Sequence, residues 1–230
     1  MSLIRRFAAV ENPNSLSNRM RSKRFHGFKQ LVESLPRPLR IIDFGGTPEF
    51  WEQRGWGGRD DIEITAVNIQ PRISRRPNFR PIFGDVADLS QFADNSFDVA
   101  FSNSVIEHLF TFERQAAMAK ELQRVAPVFW LQTPNYWFPI EPHFHVPGWQ
   151  WLPIGVRKAI IQRRRCGWRG PYPDAADADR IVREVQLLTR SQLQRLFPDA
   201  AIVPERFAGL VKSWIVHSAI EPSSAQGMAA

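Results

Sequence analysis

A single cysteine, Cys166, is present among 230 residues, which excludes disulfide architecture and any zinc site built from thiolates. Long apolar runs are missing too: nothing approaches the roughly twenty residues that cross a bilayer. The opening MSLIRRFAAVENPN turns polar too soon for a secretory signal, so a soluble, cytoplasmic protein is expected. Neither an internal repeat nor an extended low-complexity segment occurs, and only the terminal EPSSAQGMAA reads as a loose tail. Acidic residues are absent from Arg157 to Arg169, RKAIIQRRRCGWR, although the chain as a whole sets 23 of them against 30 lysines and arginines. This basic run, with another from Arg19 to Lys29, either faces an anionic partner or forms solvated surface.

What is present fits one substantial core. With 43% hydrophobic residues, the chain suits a single α/β domain over residues 1–230 better than two independent ones. The most informative stretch is Arg40 to Phe50, RIIDFGGTPEF. Ile41 and Ile42 read as a buried parallel strand, Gly45 and Gly46 permit a sharp turn, and Thr47 with Pro48 suits an N-cap and first helical residue. Asp43 is then left at the strand's carboxyl end, facing a crevice.

Further strands are expected at IEITAVN, near Phe79 to Phe83, from Ser96 to Asn103 and from Val128 to Gln132, with a helix from Phe112 to Val125. Alternation at this pace implies a Rossmann-like, doubly wound, mostly parallel sheet, its ligand crevice outside the strands' carboxyl ends. Residues 1–38 form a helical lead-in, whose apolar positions Met20, Phe25, Phe28, Leu31, Val32 and Leu35 suggest an amphipathic helix on the sheet edge. After the fifth strand, residues 134–190 break into a proline- and tryptophan-rich insertion with one helix, Ile154 to Arg165, read as a substrate lid. A helix start at Ser191 and two strand-like runs around Gly209 then close the sheet with an antiparallel hairpin, making about seven strands.

Four strand ends carry polar residues: Asp43, Asn68, Asp85 and Asn103. An acid or amide after the second strand can bind ribose hydroxyls, and one after the third can accept from an adenine amino group. With IIDFGG, ITAVNI, IFGDVADL, FDVAFSNSVIEHL and ELQRVAP in order, residues 39 to 133 resemble the class I S-adenosylmethionine-dependent methyltransferases of the small-molecule type. That resemblance implies S-adenosylmethionine as cofactor, with Asp43, Gly45 and Gly46 lining its methionine part, Asn68 its ribose and Asp85 with Val86 its adenine. Asn103 and Ser104 would border the sulfonium. Two departures stand out. Thr47 and Glu49 occupy the places of the family's second and third glycines, and Asn68 replaces its usual acid. The stretch TPNYWFPIEPHFHVP resembles a pattern in a bacterial subgroup associated with cell-envelope saccharide or lipid modification.

Methyl transfer from a sulfonium is an in-line displacement that needs chiefly alignment and exclusion of water. A base helps when the acceptor is a hydroxyl or protonated amine, and His143, then His145 and Glu141, are the candidates after the fifth strand. The same histidines could instead cap a proline-braced loop. No metal is assigned, because the acidic ligands of metal-dependent relatives are not recognisable, and Glu107 with His108 reads as a helix start. Trp137, Phe138, Trp149, Trp151 and Trp168 beside the basic run suit a sugar ring, an anionic membrane surface or a nucleic acid, or simply fill the lid's core.

The leading expectation is an enzyme that methylates a hydroxyl or amine of a small molecule, saccharide or lipid-linked acceptor. The alternatives are an RNA methyltransferase or a catalytically inactive binding subunit. Nucleic acid is disfavoured as a substrate, since no amine-methylating signature follows Asn103. Oligomeric state is not legible.

Overall fold

The computed structural model describes residues 16–219. Seven strands form one sheet in the order β3-β2-β1-β4-β5-β7-β6. Strands β1 (Leu39–Phe44), β2 (Ile62–Asn68), β3 (Phe79–Phe83), β4 (Val99–Asn103) and β5 (Val128–Pro134) run parallel. Strand β7 (Leu210–His217) is antiparallel to both β5 and β6 (Ala201–Phe207), as the hairpin around Gly209 leads one to expect. The chain order reverses at β1 and β4, whose carboxyl ends lie side by side with Phe44 opposite Ser102. A ligand crevice belongs at that switch point.

Both sheet faces are covered, which is why β1 reads as nearly continuous apolar sequence. On one face Ile42, Phe44, Val67, Ala100 and Leu131 pack with Met118, Leu122 and Val125 of α3 (Phe112–Val125) and Leu193 of α6 (Arg190–Leu196). The i, i+4 and i, i+3 spacing of those α3 residues puts them on one stripe, and Thr111 caps the helix by accepting from the Arg114 amide. Helix α6 starts in a reciprocal capping box of Thr189 and Gln192.

On the other face lie α1 (Leu16–Val32) and the short α2 (Pro48–Glu52). The lead-in helix does not sit at the sheet edge, as its sequence suggested. Phe25, Phe28 and Val32 lie over Ile41, Ile64, Phe101 and Trp130, and Trp51 and Trp56 complete an aromatic layer. A Cβ on Gly27 would stand 3.1 Å from the Trp130 ring, so the missing side chain lets the helix settle onto the face.

Residues 134–190 possess a third core of their own, built on Phe144, Trp149, Ile161, Ala178, Ile181 and Val182. The sequence reading expected one helix here, and the structure has two: α4 (Ile154–Arg163) and α5 (Ala175–Glu184). The missed helix is capped by Asp174, which accepts from the Ala176 and Asp177 amides, and it buries Ala178, Ile181 and Val182. Of the insertion's tryptophans only Trp149 is enclosed, stacked on Phe144 at 4.3 Å, whereas Trp137, Trp151 and Trp168 face outward. Cys166 is buried in this core and its thiol is pushed up by burial, so it is an inert packing group.

Candidate functional site

The glycine turn after β1 is formed by contacts that exclude side chains. Gly45 adopts φ +74° and donates its amide to Val67 O at 2.7 Å. A Cβ there would stand 2.7 Å from Val105 Cγ2, and one on Gly46 would stand 1.8 Å from Asp43 Oδ2. Asp43 therefore lies directly beneath the turn. Its carboxylate is only 2% exposed and accepts from Trp51 Nε1 at 2.6 Å. Burial pushes Asp43 up to about 7, with the Trp51 bond pulling the other way.

Neighbouring strand ends converge on this turn. Asn68 donates from Nδ2 to Gly45 O at 3.1 Å and accepts the Gln70 amide at 3.0 Å, fastening the β2 end to the glycine turn. Asp85 accepts from the Ala87 amide and from Arg114 Nη2 at 2.7 Å; it is half exposed, next to buried Val86. Asn103 accepts from Arg24 Nη1 at 2.9 Å, and Ser104, at φ +58°, donates from Oγ to Gln132 Oε1 at 2.9 Å. Thr47 stands in extended backbone before α2, and the exposed carboxylate of Glu49 pairs with Arg72 at 3.5 Å.

Cations gather behind Asn103. Arg24 pairs with Glu205 at 2.9 Å. Burial and then mutual repulsion pull Arg21 and Arg54 down, Arg54 to about 10, and burial outweighs the Glu205 pairing at Arg24. Lys212 lies in the same field and is likewise pulled down by burial. This cluster suits an anionic group; the sequence had offered the Arg19–Lys29 run as facing an anionic partner or solvent, but not Asn103 and Glu205 as the neighbours of Arg24.

A second polar cluster forms where the insertion meets β4 and β5. Glu141 is 1% exposed and accepts the amides of His143 and Phe144 at 2.8 and 2.7 Å, while its other oxygen meets His143 Nδ1 at 2.5 Å. Burial pulls His143 down, but the hydrogen bond and charge of Glu141, aided by Glu107, outweigh it and leave the imidazole raised. The His143 ring meets His108 edge to face at 4.6 Å between centroids. His108 Nδ1 lies 3.3 Å from Glu184 Oε1, and Arg169 grips Glu184 with two bonds of 2.7 and 2.6 Å. Although burial opposes it, bonding to His108 and Arg169 holds Glu184 down at about 2.

Glu107, fully buried on the short 3₁₀ turn Ile106–His108, accepts from Thr133 Oγ1 at 3.0 Å, and its Oε1 has no hydrogen-bond partner among the described residues. His145, at φ +52°, donates its amide to Glu141 O and sets its ring against Trp168. The structure thus joins Glu141 and His143 to Glu107 and His108, which the sequence reading had left as a helix start. It adds Arg169 and Glu184, which that reading did not single out. The available signal was an acid, Glu107, directly after the apolar Val105 and Ile106.

Residues 49–127 match a family model described as a methyltransferase domain. Among curated proteins, the chain is similar to the uncharacterized protein Rv1509 of Mycobacterium tuberculosis, 25% identical over 128 residues, which cover 56% of this chain and 42% of the relative. The chain therefore spans less than half the length of the curated relatives it matches. Among solved structures, it resembles a CurJ carbon methyltransferase with a TM-score of 0.55 at 13% identity, covering 89% of this chain and 55% of that one. It also resembles the PH0226 protein from Pyrococcus horikoshii with a TM-score of 0.50 at 16% identity, covering 90% and 92%.

The strand order and the matched segment define a class I methyltransferase fold. Within that fold, residues 49–127 resemble a methyltransferase domain, and S-adenosylmethionine is the cofactor of the class I methyltransferases. The residues present fit it: a glycine cradle that any Cβ would fill, a carboxylate beneath, and amide and acid groups on the adjoining strand ends.

Proposed function

We propose that the protein transfers the methyl group of S-adenosylmethionine to a hydroxyl or amine of a small molecule, saccharide or lipid-linked acceptor. The observation that carries this reading is the pair of buried Glu141 and half-buried His143, on the part of the insertion that follows β5.

The bound cofactor supplies an activated methyl group on a sulfonium. The chain's own residues do the rest. Gly45 and Gly46 leave room for the methionine part, Asp43 beneath them places negative charge under its ammonium, and the arginine cluster beside Asn103 suits its carboxylate. Asn68 and Asp85 present polar edges for ribose and adenine, with Val86 as an apolar wall, and Asn103 and Ser104 border the reacting centre. His143, holding its Nδ1 proton against Glu141, keeps Nε2 as the acceptor for a proton leaving the substrate. Glu141 fixes ring orientation and tautomer, and His145 is the second candidate base. The insertion, with its separate core, serves as the lid that excludes water and selects the acceptor. Its outward Trp137 and Trp151, 6.5 Å apart, suit stacking on a sugar ring or shallow contact with an anionic membrane surface.

A second reading, methylation of RNA, is favoured by the exposed Arg163, Arg164 and Arg165. It requires nucleic-acid binding that weakens steeply with salt. The deciding experiment incubates the purified protein with methyl-labelled cofactor and fractionated host extracts. Label in saccharide or lipid supports the first reading, label in RNA the second. Cofactor binding without label in any fraction would leave a catalytically inactive binding subunit.

A further inference from the structure

Glu107, His108 and His143 come together from two chain segments: the turn after β4 and the loop after β5. One carboxylate oxygen of Glu107 and one ring nitrogen from each histidine lie within 4.8 Å of one another. Each histidine engages a buried or half-buried carboxylate through Nδ1, His143 with Glu141 and His108 with Glu184. A ring whose Nδ1 proton is held by a carboxylate presents the lone pair of Nε2, and this arrangement orients imidazoles toward metal ions and raises their basicity. Glu184 is in turn gripped by Arg169, and Glu141 by two backbone amides, so both orienting carboxylates are fixed.

The third donor is independent of the histidines. Glu107 is completely buried, yet only one of its oxygens is bonded, to Thr133; the other has no partner among the described residues. A buried carboxylate oxygen left without a partner is strongly unfavourable unless something meets it. The local charge favours a cation: Glu107, Glu141 and Glu184 stand against Arg169, with Arg24 and Arg157 acting from farther off on Glu107 and Glu141.

We propose that Glu107, His108 and His143 bind a first-row divalent cation, with Glu141 and Glu184 orienting the two imidazoles. A set of two imidazoles and one carboxylate suits Zn²⁺, Co²⁺ or Fe²⁺ better than Mg²⁺ or Ca²⁺, and three protein ligands leave a coordination position open. Donors on such an ion lie about 2.0–2.2 Å from it, hence roughly 3.3 Å from each other, so loading draws the three donor atoms together by at most about 1.5 Å. The site shares His143 with the proposed methyl transfer but does not depend on it. Ion and substrate proton compete for one Nε2 lone pair, and the loaded protein would present its open metal position to the acceptor.

The test uses the full, tag-free chain stripped with a chelator and titrated with Co²⁺, followed by visible absorption and calorimetry, then with Zn²⁺ as competitor. The expected result is one ion per chain, with the absorption of nitrogen-ligated Co²⁺. Affinity should fall at least 100-fold in His108→Ala and in Glu107→Gln, and about 10- to 100-fold in Glu184→Gln, the usual effect of losing an orienting partner. His26→Gln, at an exposed histidine on α1, should leave it unchanged. If His108→Ala fails to fold, the Glu184→Gln value decides. No stoichiometric binding by the wild type, or equal binding by wild type and these variants, overturns the metal site. Failure to bind Co²⁺ by a chain that still transfers methyl removes the metal site while leaving the transfer reading intact. Stoichiometric Co²⁺ binding without any methyl transfer does the reverse.

Discussion

Replacing Asp43 by asparagine should change how stability depends on pH, and the size of the change follows from burial. Asp43 lies under the Gly46 backbone with 2% exposure, and its carboxyl is pushed up to about 7 from an ordinary 3.8. At 1.36 kcal/mol per pH unit, that displacement corresponds to about 4 kcal/mol. The sign is set by proton counting. Between the ordinary value and about 7 the native state holds a proton that the unfolded state has lost, so stability falls as pH rises through this window and levels off above it. Asparagine cannot ionise, and its carbonyl can still accept from Trp51. Any cost of its extra N–H donors does not vary with pH. The stability difference between Asp43→Asn and wild type should therefore swing in the variant's favour by about 4 kcal/mol from pH 4 to pH 8. Urea unfolding followed by circular dichroism at several pH values measures it. A difference that stays constant across that range would refute the buried, uncompensated carboxyl.

Other perturbations separate the parts of the site. Trp51→Phe removes the donor to Asp43 and should cost about 1.5–3 kcal/mol at pH 8, where the carboxylate is ionised, and less at pH 5; urea unfolding at the two values checks this. Gly46→Ala forces a Cβ against the Asp43 carboxylate and should lower stability by about 1–3 kcal/mol and weaken cofactor binding, read by unfolding and calorimetry. His143→Ala should reduce turnover by about 10²- to 10⁴-fold while cofactor affinity stays within about twofold, as measured by labelled methyl transfer and calorimetry. Equal losses in affinity and turnover would count against that division of roles.

The parallel sheet was readable because β1 is buried on both faces, so Ile41 and Ile42 stand adjacent, followed by an acid and, after Phe44, a glycine pair. The closing hairpin was readable from alternation around Gly209. Helix α5 was not, because its polar face carries Asp177, Asp179, Arg180 and Arg183, and the prolines before it suggested irregular structure. Its Asp174 cap and the apolar spacing of Ala178, Ile181 and Val182 become decisive only once Phe144 and Trp149 supply a core to pack against. Individual strand-end residues were visible, but their partners were not. Arg24 reaches Asn103 across 79 positions, and Glu184 reaches His108 across more than seventy, distances over which local pattern carries no information. The polar cluster around Glu107 is a product of tertiary placement, assembled from a turn, a loop and the end of α5.

Calorimetric titration of S-adenosylmethionine into the wild-type chain, Gly45→Arg and Asp85→Ala addresses the central claim most directly. One molecule bound per wild-type chain, with binding abolished in both variants while their folds persist, is the expected result. Undetectable binding by the wild type, or undiminished binding when an arginine side chain is forced into the turn after β1, would contradict it.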